Sequence, residues 1–237
     1  MTEASLVVDG LSARIGSFHL DGVSFTVQPG QVTALLGHNG AGKTTTFRLI
    51  MGLVRKDGGR VSFGGLDHVR DEIEFKRHVG FVQEESFFYG AMTVSELAAF
   101  VSPFYDNWNK ELAEGLIAQF GLPTNKKVAE FSKGMRTKTG IVLALSHEPR
   151  ILLLDEPTSG LDPRARVEIL AWLRRVARER GKAVLFSTHN LHEVERVADR
   201  ILIVDRGRLL ADDDLAGLRE RGGTGWTLER TYLELVP

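Results

Sequence analysis

Nine consecutive residues, Gly37 to Thr45 (GHNGAGKTT), constrain this chain more than any other segment. They follow Gln31 to Leu36, a short apolar run that reads as a buried strand, and they lead into a helix expected from Lys43 to Met51 and stopped at Gly52. Gly37, Gly40 and Gly42 let the main chain fold into a nest of N–H groups, and the helix start adds its partial positive charge. The spacing G-x-x-x-x-G-K-[ST] between a strand and a helix points to a nucleoside triphosphate site. Gly37, His38, Asn39, Gly40, Ala41, Gly42 and Thr45 supply its backbone, Lys43 reaches the β- and γ-phosphates, and Thr44 offers a hydroxyl to Mg²⁺. A glycine-rich turn with an incidental lysine is the bland alternative, and the order strand, loop, helix weighs against it.

The rest of the chain reads as the α/β frame such a loop needs. Apolar runs at Ile151–Leu154, Ala183–Ser187 and Ile201–Val204 are too short for helices and fit fully buried strands of a parallel sheet. Between the first two lies a helix expected over Arg164–Arg180, with Ile169, Trp172, Leu173 and Val176 at helical spacing and Gly181 as its stop. The N-terminal segment from Leu6 to Val27 reads as short strands broken by Gly10, Gly16 and Gly22, and Gly58 to Gly65 as a hairpin that joins them. From Glu84 to Glu148 helix formers dominate, with Thr93 and Glu96 spaced as a capping box. A hairpin is expected near Arg206-Gly207, and Leu228 to Val236 is expected to pack back on the body.

With 237 residues, 43% hydrophobic and 26% charged, the chain can bury a sizeable core as one domain. Its net charge of -1 gives no sign of a polyanion partner, so no nucleic acid is expected. The arginines of the 164–180 helix alternate with Glu168 and Glu179, as on a solvated face. Cysteine is absent, which removes thiol nucleophiles, Cys-ligated zinc and disulfides. No apolar run approaches the ~18 residues of a membrane span, so any channel is expected to belong to another polypeptide.

A magnesium nucleotide also needs carboxylates, and the strand Ile151–Leu154 delivers Asp155 and Glu156 at its C-terminal end, where open α/β sheets bind ligands. Asp155 is read as the metal-orienting acid and Glu156 as the general base. The segment LLLDEPTSGLDP, from Leu152 to Pro163, resembles the second nucleotide motif and D-loop of ABC ATPases, as does the phosphate loop. Gln83 in FVQE resembles the Q-loop, FSKGM from Phe131 to Met135 stands in place of the signature, and His189 in FSTHN resembles the switch histidine. Five motifs in the family's order cover nearly the whole chain.

The resemblance implies a P-loop NTPase (RecA-like) core with a mostly parallel sheet, an antiparallel N-terminal β subdomain and an inserted helical subdomain. The expected division is 1–83 and 149–215 for the core with its β subdomain, 84–148 for the helical part and 216–237 for a C-terminal extension. It implies ATP and Mg²⁺ as ligands, with Gln83 at the metal or attacking water and His189 bonded to the γ-phosphate and Glu156. Ser132 and Gly134 are implied to meet a nucleotide held by a second ATPase subunit, and Asp162 to cross that interface. Lys133 and Met135 depart from the common LSGGQ form: the lysine either supplies charge to phosphate or lies in solvent. The variant resembles export-type bacterial members. Ile15 stands where an aromatic commonly stacks on adenine; Phe18 either takes that role or fills the core.

The implied activity is ATP hydrolysis that energises export of a small molecule, peptide or lipid through a transmembrane permease, with the chain peripheral on the cytoplasmic face of the cell membrane. Glu84, Glu85, Phe87, Phe88 and Tyr89 form the expected docking patch if exposed, or a brace for the helical part if buried. The rival is a soluble ABC ATPase of DNA repair, translation or cofactor assembly, against which the lack of a coiled-coil insertion, zinc cysteines and a second ATPase domain counts.

Overall fold

A computed structural model describes residues 4–85 and 87–236. Strands β1 (Leu6–Ile15) and β2 (Phe18–Val27) form an antiparallel pair. Strand β3 (Val32–Leu36) runs into the glycine loop and helix α1 (Lys43–Ile50); β4 (Gly58–Phe63) and the short β5 (Leu66–Asp67) then extend the first sheet in the order β2-β1-β4-β5. The sequence reading broke this region at three glycines, but only Gly16 makes a turn. Gly10 and Gly22 lie inside single ten-residue strands, where the register slips between Val8 and Leu11. Gly10, at φ 57°, is accommodated in a bulge that bends the strand without ending it.

Helix α2 (Glu72–Arg77) and strand β6 (Val79–Val82) follow, then a helical stretch of α3 (Val94–Val101), α4 (Lys110–Gln119) and α5 (Lys133–Leu145). Thr93 caps α3 with the reciprocal Glu96 bond that its spacing announces. The chain returns as β7 (Ile151–Leu154), α6 (Pro163–Arg180), β8 (Ala183–Thr188), α7 (Leu191–Val197), β9 (Arg200–Asp205), β10 (Arg208–Asp214), α8 (Leu215–Gly222) and α9 (Leu228–Leu235). The second sheet has the order β10-β9-β3-β8-β7-β6, parallel throughout except for the β9–β10 hairpin.

Strand periodicity divides the core in two. Ala34, Leu36, Leu152, Leu154, Val184 and Phe186 face the helical layer of α3 to α7, while Leu35, Ile151, Leu153, Leu185 and Leu202 face α1 and the antiparallel sheet. Both faces of the parallel sheet are covered, which is why its strands read as unbroken apolar runs. Leu228 of α9 is buried in the helical-side cluster, so the C-terminal helix packs on the body. The parallel strands β3, β7 and β8 all end on one edge, and the segments after them carry Lys43, the pair Asp155 and Glu156, and His189.

Candidate nucleotide site

The loop after β3 is held from below. A Cβ on Gly37 would lie 2.5 Å from the Val204 carbonyl, so no larger residue fits where β3 passes β9. Gly42 caps α1 at φ 114°, a conformation open to glycine, and it brings no side chain to bond the helix's first N–H groups. Those groups face a cleft of about 410 Å³ lined by Phe18, Asn39, Gly40, Gly42, Lys43, Thr44, Thr45, Glu84 and Glu156. The remaining loop residues support it: Gly37 and His38 give their carbonyls to Lys43, Ala41 accepts from Gly207 N–H, and the His38 ring pairs with Asp205 at 2.6 Å.

Lys43 is buried, its ammonium 2.8 Å from the Gly37 carbonyl, 3.1 Å from that of His38 and 3.1 Å from Glu156 Oε1. Glu156 in turn lies 3.1 Å from His189 Nδ1. Its backbone sits at φ 46°, a costly conformation for a non-glycine residue that neighbours must hold in place. They do: its N–H donates to Ser187 Oγ at 2.8 Å and its carbonyl accepts from Ser159 N–H. Asp155 turns the other way. Its Oδ1 accepts the Ser187 hydroxyl at 2.6 Å, and the Thr44 hydroxyl also bonds it. Burial pushes the Asp155 carboxyl above its ordinary range, against the pull of these hydroxyls.

A buried carboxylate beside a threonine hydroxyl and a phosphate-sized cleft is a fitting half of a divalent-ion site. Among the described residues no three His, Cys, Asp or Glu side chains converge to hold a metal. A divalent ion here would therefore share its coordination with phosphate oxygens and water.

Phe18 lines the cleft, with its ring edge 2.8 Å from where a Cβ on Gly42 would stand; Ile15 is its cross-strand partner at the neighbouring turn. Other candidates lie outside the cleft. Gln83 lines a separate groove with Phe87, Phe88, Tyr105 and His147. Ser132 caps α5 by accepting from Met135 N–H, and Gly134 packs near Leu161 and Ala165. Asp162 caps α6, where helix-start N–H groups, that of Ala165 foremost, hold its carboxyl below the ordinary range.

Three residues bonded to the site's segments escaped the sequence reading. Ser187 bridges Asp155 and Glu156. Glu193, buried, accepts from Thr158 at 2.8 Å and Thr188 at 2.7 Å, tying the turn after β7 to the end of β8. In sequence Asn190 to Glu193 has capping-box spacing, a local signal that hides this long-range use. Glu84 belongs to the cleft and accepts from Ser159 at 2.9 Å, which removes it from the expected docking patch. That patch divides: Phe88 packs on the core, while Phe87 is 90% and Tyr89 62% exposed.

A family model described as ABC transporter matches residues 20–159. The chain is 35% identical over 240 residues to the ABC transporter ATP-binding protein YdbJ of Bacillus subtilis (strain 168), covering 100% of this chain and 76% of that one. It is 33% identical over 217 residues to the bacitracin transport ATP-binding protein BcrA of Bacillus licheniformis, covering 91% and 69%. A solved ATP-binding subunit of an ABC transporter superposes with a TM-score of 0.86 at 32% identity, over 97% of this chain and 98% of that one. No helix among the described residues is long and apolar enough to cross a membrane. With the phosphate loop, the paired acids and the two-sheet fold, these matches place the chain in the ABC transporter family, as an ATP-binding subunit whose ATP hydrolysis is coupled to transport.

Proposed function

We propose that the 410 Å³ cleft binds Mg²⁺–ATP and that Glu156 is its general base, a reading carried by the convergence of Lys43, Glu156 and His189 beside the α1 N-terminus. The loop N–H groups bind phosphate oxygens, and the Lys43 ammonium exchanges Glu156 and the loop carbonyls for phosphate. That exchange frees the Glu156 carboxylate to accept a proton from the attacking water, while His189 keeps it oriented. Thr44 and Asp155 would hold a divalent ion, with Gln83 as a further candidate from the neighbouring groove, and such an ion would supply charge neutralisation for the phosphates. Phe18 stacks on the adenine.

Ser132, Gly134 and Asp162 serve a second ATPase subunit, a reading that rests on the resemblance of their segments to the signature and D-loop of the family. A transmembrane permease docks on the groove that Gln83 lines. Exposed aromatics form a cluster besides: Tyr89 meets Phe100 at 5.2 Å and Phe100 meets Phe104 at 6.1 Å. Large apolar rings left in water mark an interaction surface. The FSKGM variant supports export of a small molecule, peptide or lipid, with the chain on the cytoplasmic face of the membrane.

Lys43→Ala tests the cleft: nucleotide affinity should fall at least about tenfold, the weight of a charge-assisted phosphate contact. Unchanged affinity would remove the assignment. Co-expression with the adjacent membrane protein tests the partner, since recovery only from the soluble fraction would favour the rival role away from membranes. Inside-out vesicles energised with ATP test direction: accumulation of substrate inside them is export, and loss is import.

A further inference from the structure

Lys133, the signature residue that departs most in charge from the family pattern, has a defined place in the fold. It opens α5 directly after the Ser132 cap, and its ammonium lies 3.4 Å from Ser159 Oγ and close to Gly160. The Ser159 hydroxyl donates onward to Glu84 Oε1 at 2.9 Å. The Ser159 main-chain N–H donates to the carbonyl of Glu156. Ser159 thus joins three separate segments: the start of α5, the turn carrying Glu156, and the residues after β6 that reach the cleft.

Donors and acceptors match along the chain. An ammonium that can only donate meets a hydroxyl, and the hydroxyl passes its own proton to a carboxylate that can only accept. Alignment of this kind polarises each bond through the next. Lys133 and Glu84 are exposed and Ser159 is half-buried, so the chain of bonds adds little to global stability. Its effect is positional. Glu156 has a left-handed backbone that its surroundings must impose, and Ser159 is one of the two anchors of that residue's main chain.

We propose that Lys133 and Glu84 are positioning residues which act as a pair through Ser159, locking the turn that carries Glu156 to the signature end of α5. The proposal rests on the reading of Glu156 as general base. A charged signature residue then serves its own chain's active site, and neither of the roles open from sequence, charge for a phosphate or a solvated side chain, describes it.

The test is a double-mutant cycle on the full chain, with Glu84→Gln, Lys133→Met, the double variant and Lys133→Arg. Steady-state ATP hydrolysis is measured together with amide exchange over residues 133–137 and over α6. Each neutralising variant should lower kcat about threefold to tenfold with KM for ATP changed less than about twofold, as expected when a catalytic group is misaligned but binding is kept. The double variant should be no slower than the worse single one, because contacting residues in one chain do not add. Exchange at the start of α5 should quicken alike in all three and stay unchanged in α6, and Lys133→Arg should restore kcat. Wild-type kcat in Glu84→Gln or in Lys133→Met, or a double variant whose loss is the product of the two, would overturn the pairing. Normal turnover in Glu156→Gln would instead overturn the base assignment, so the two failures are distinct.

Discussion

At the scale of single residues, the site sets two acids in unlike surroundings. Glu156 is compensated by Lys43 and His189, whereas Asp155 is buried with hydroxyl partners and its carboxyl is raised by burial. An acid whose folded value exceeds its unfolded one stabilises the fold at low pH and ceases to do so as pH rises through the folded value. Above that folded value the Asp155 charge is therefore a burden on the nucleotide-free fold. Asp155→Asn should raise the melting temperature without nucleotide, at about 2–4 °C per kcal/mol relieved in a chain of this size. It should also abolish magnesium-dependent hydrolysis. Thermal melts with and without Mg²⁺–ATP check both effects, and a lower melting temperature without nucleotide would refute the argument.

At the scale of elements, legibility followed the range of the interactions. Helix α6 was readable end to end because its stop is local: Gly181 takes φ 62° just past the last apolar turn. The α3 cap was equally local. Gly10 and Gly22 misled because a bulge and a turn use the same residue, and only the partner strand decides between them. The phosphate loop and the two acids were legible as contiguous motifs. Ser187, Glu193 and Glu84 were not, since each acts on a residue more than thirty positions away or beside an element whose placement the local pattern does not specify. The aromatic patch was half-legible: composition found Phe87 and Tyr89, and packing added Phe100 and Phe104.

That patch yields a prediction of its own. Phe104 is 73% exposed, so Phe104→Ser should change stability by less than about 0.5 kcal/mol. Basal hydrolysis should also hold while co-purification with the membrane partner weakens. A pull-down alongside a denaturant melt measures both, and undiminished recovery would exclude Phe104 from the interface.

At the scale of the whole molecule, burial of titratable groups sets the response to acid. His147 is stacked on Tyr105, bonded to the Val79 carbonyl, and pushed by burial from 6.5 to about 4. A base with a lowered folded value leaves the unfolded chain holding more protons between those two pH values. Stability therefore falls as pH drops through that window, by at most roughly 3 kcal/mol from this residue. His68 and His78 act in the same direction. His147→Gln should flatten the dependence of melting temperature on pH between about 6.5 and 4, and an unchanged slope would show that His147 is not its source.

The proposed function places all the chemistry in one cleft, with Glu156 activating water against a nucleotide held by the loop from Gly37 to Thr45. Hydrolysis and equilibrium ATP binding measured side by side for wild type and Glu156→Gln test it most directly. Turnover should be lower by at least about a hundredfold, the scale of a lost general base, with ATP affinity retained and subunits trapped as an ATP-bound dimer. Normal turnover in Glu156→Gln would contradict it.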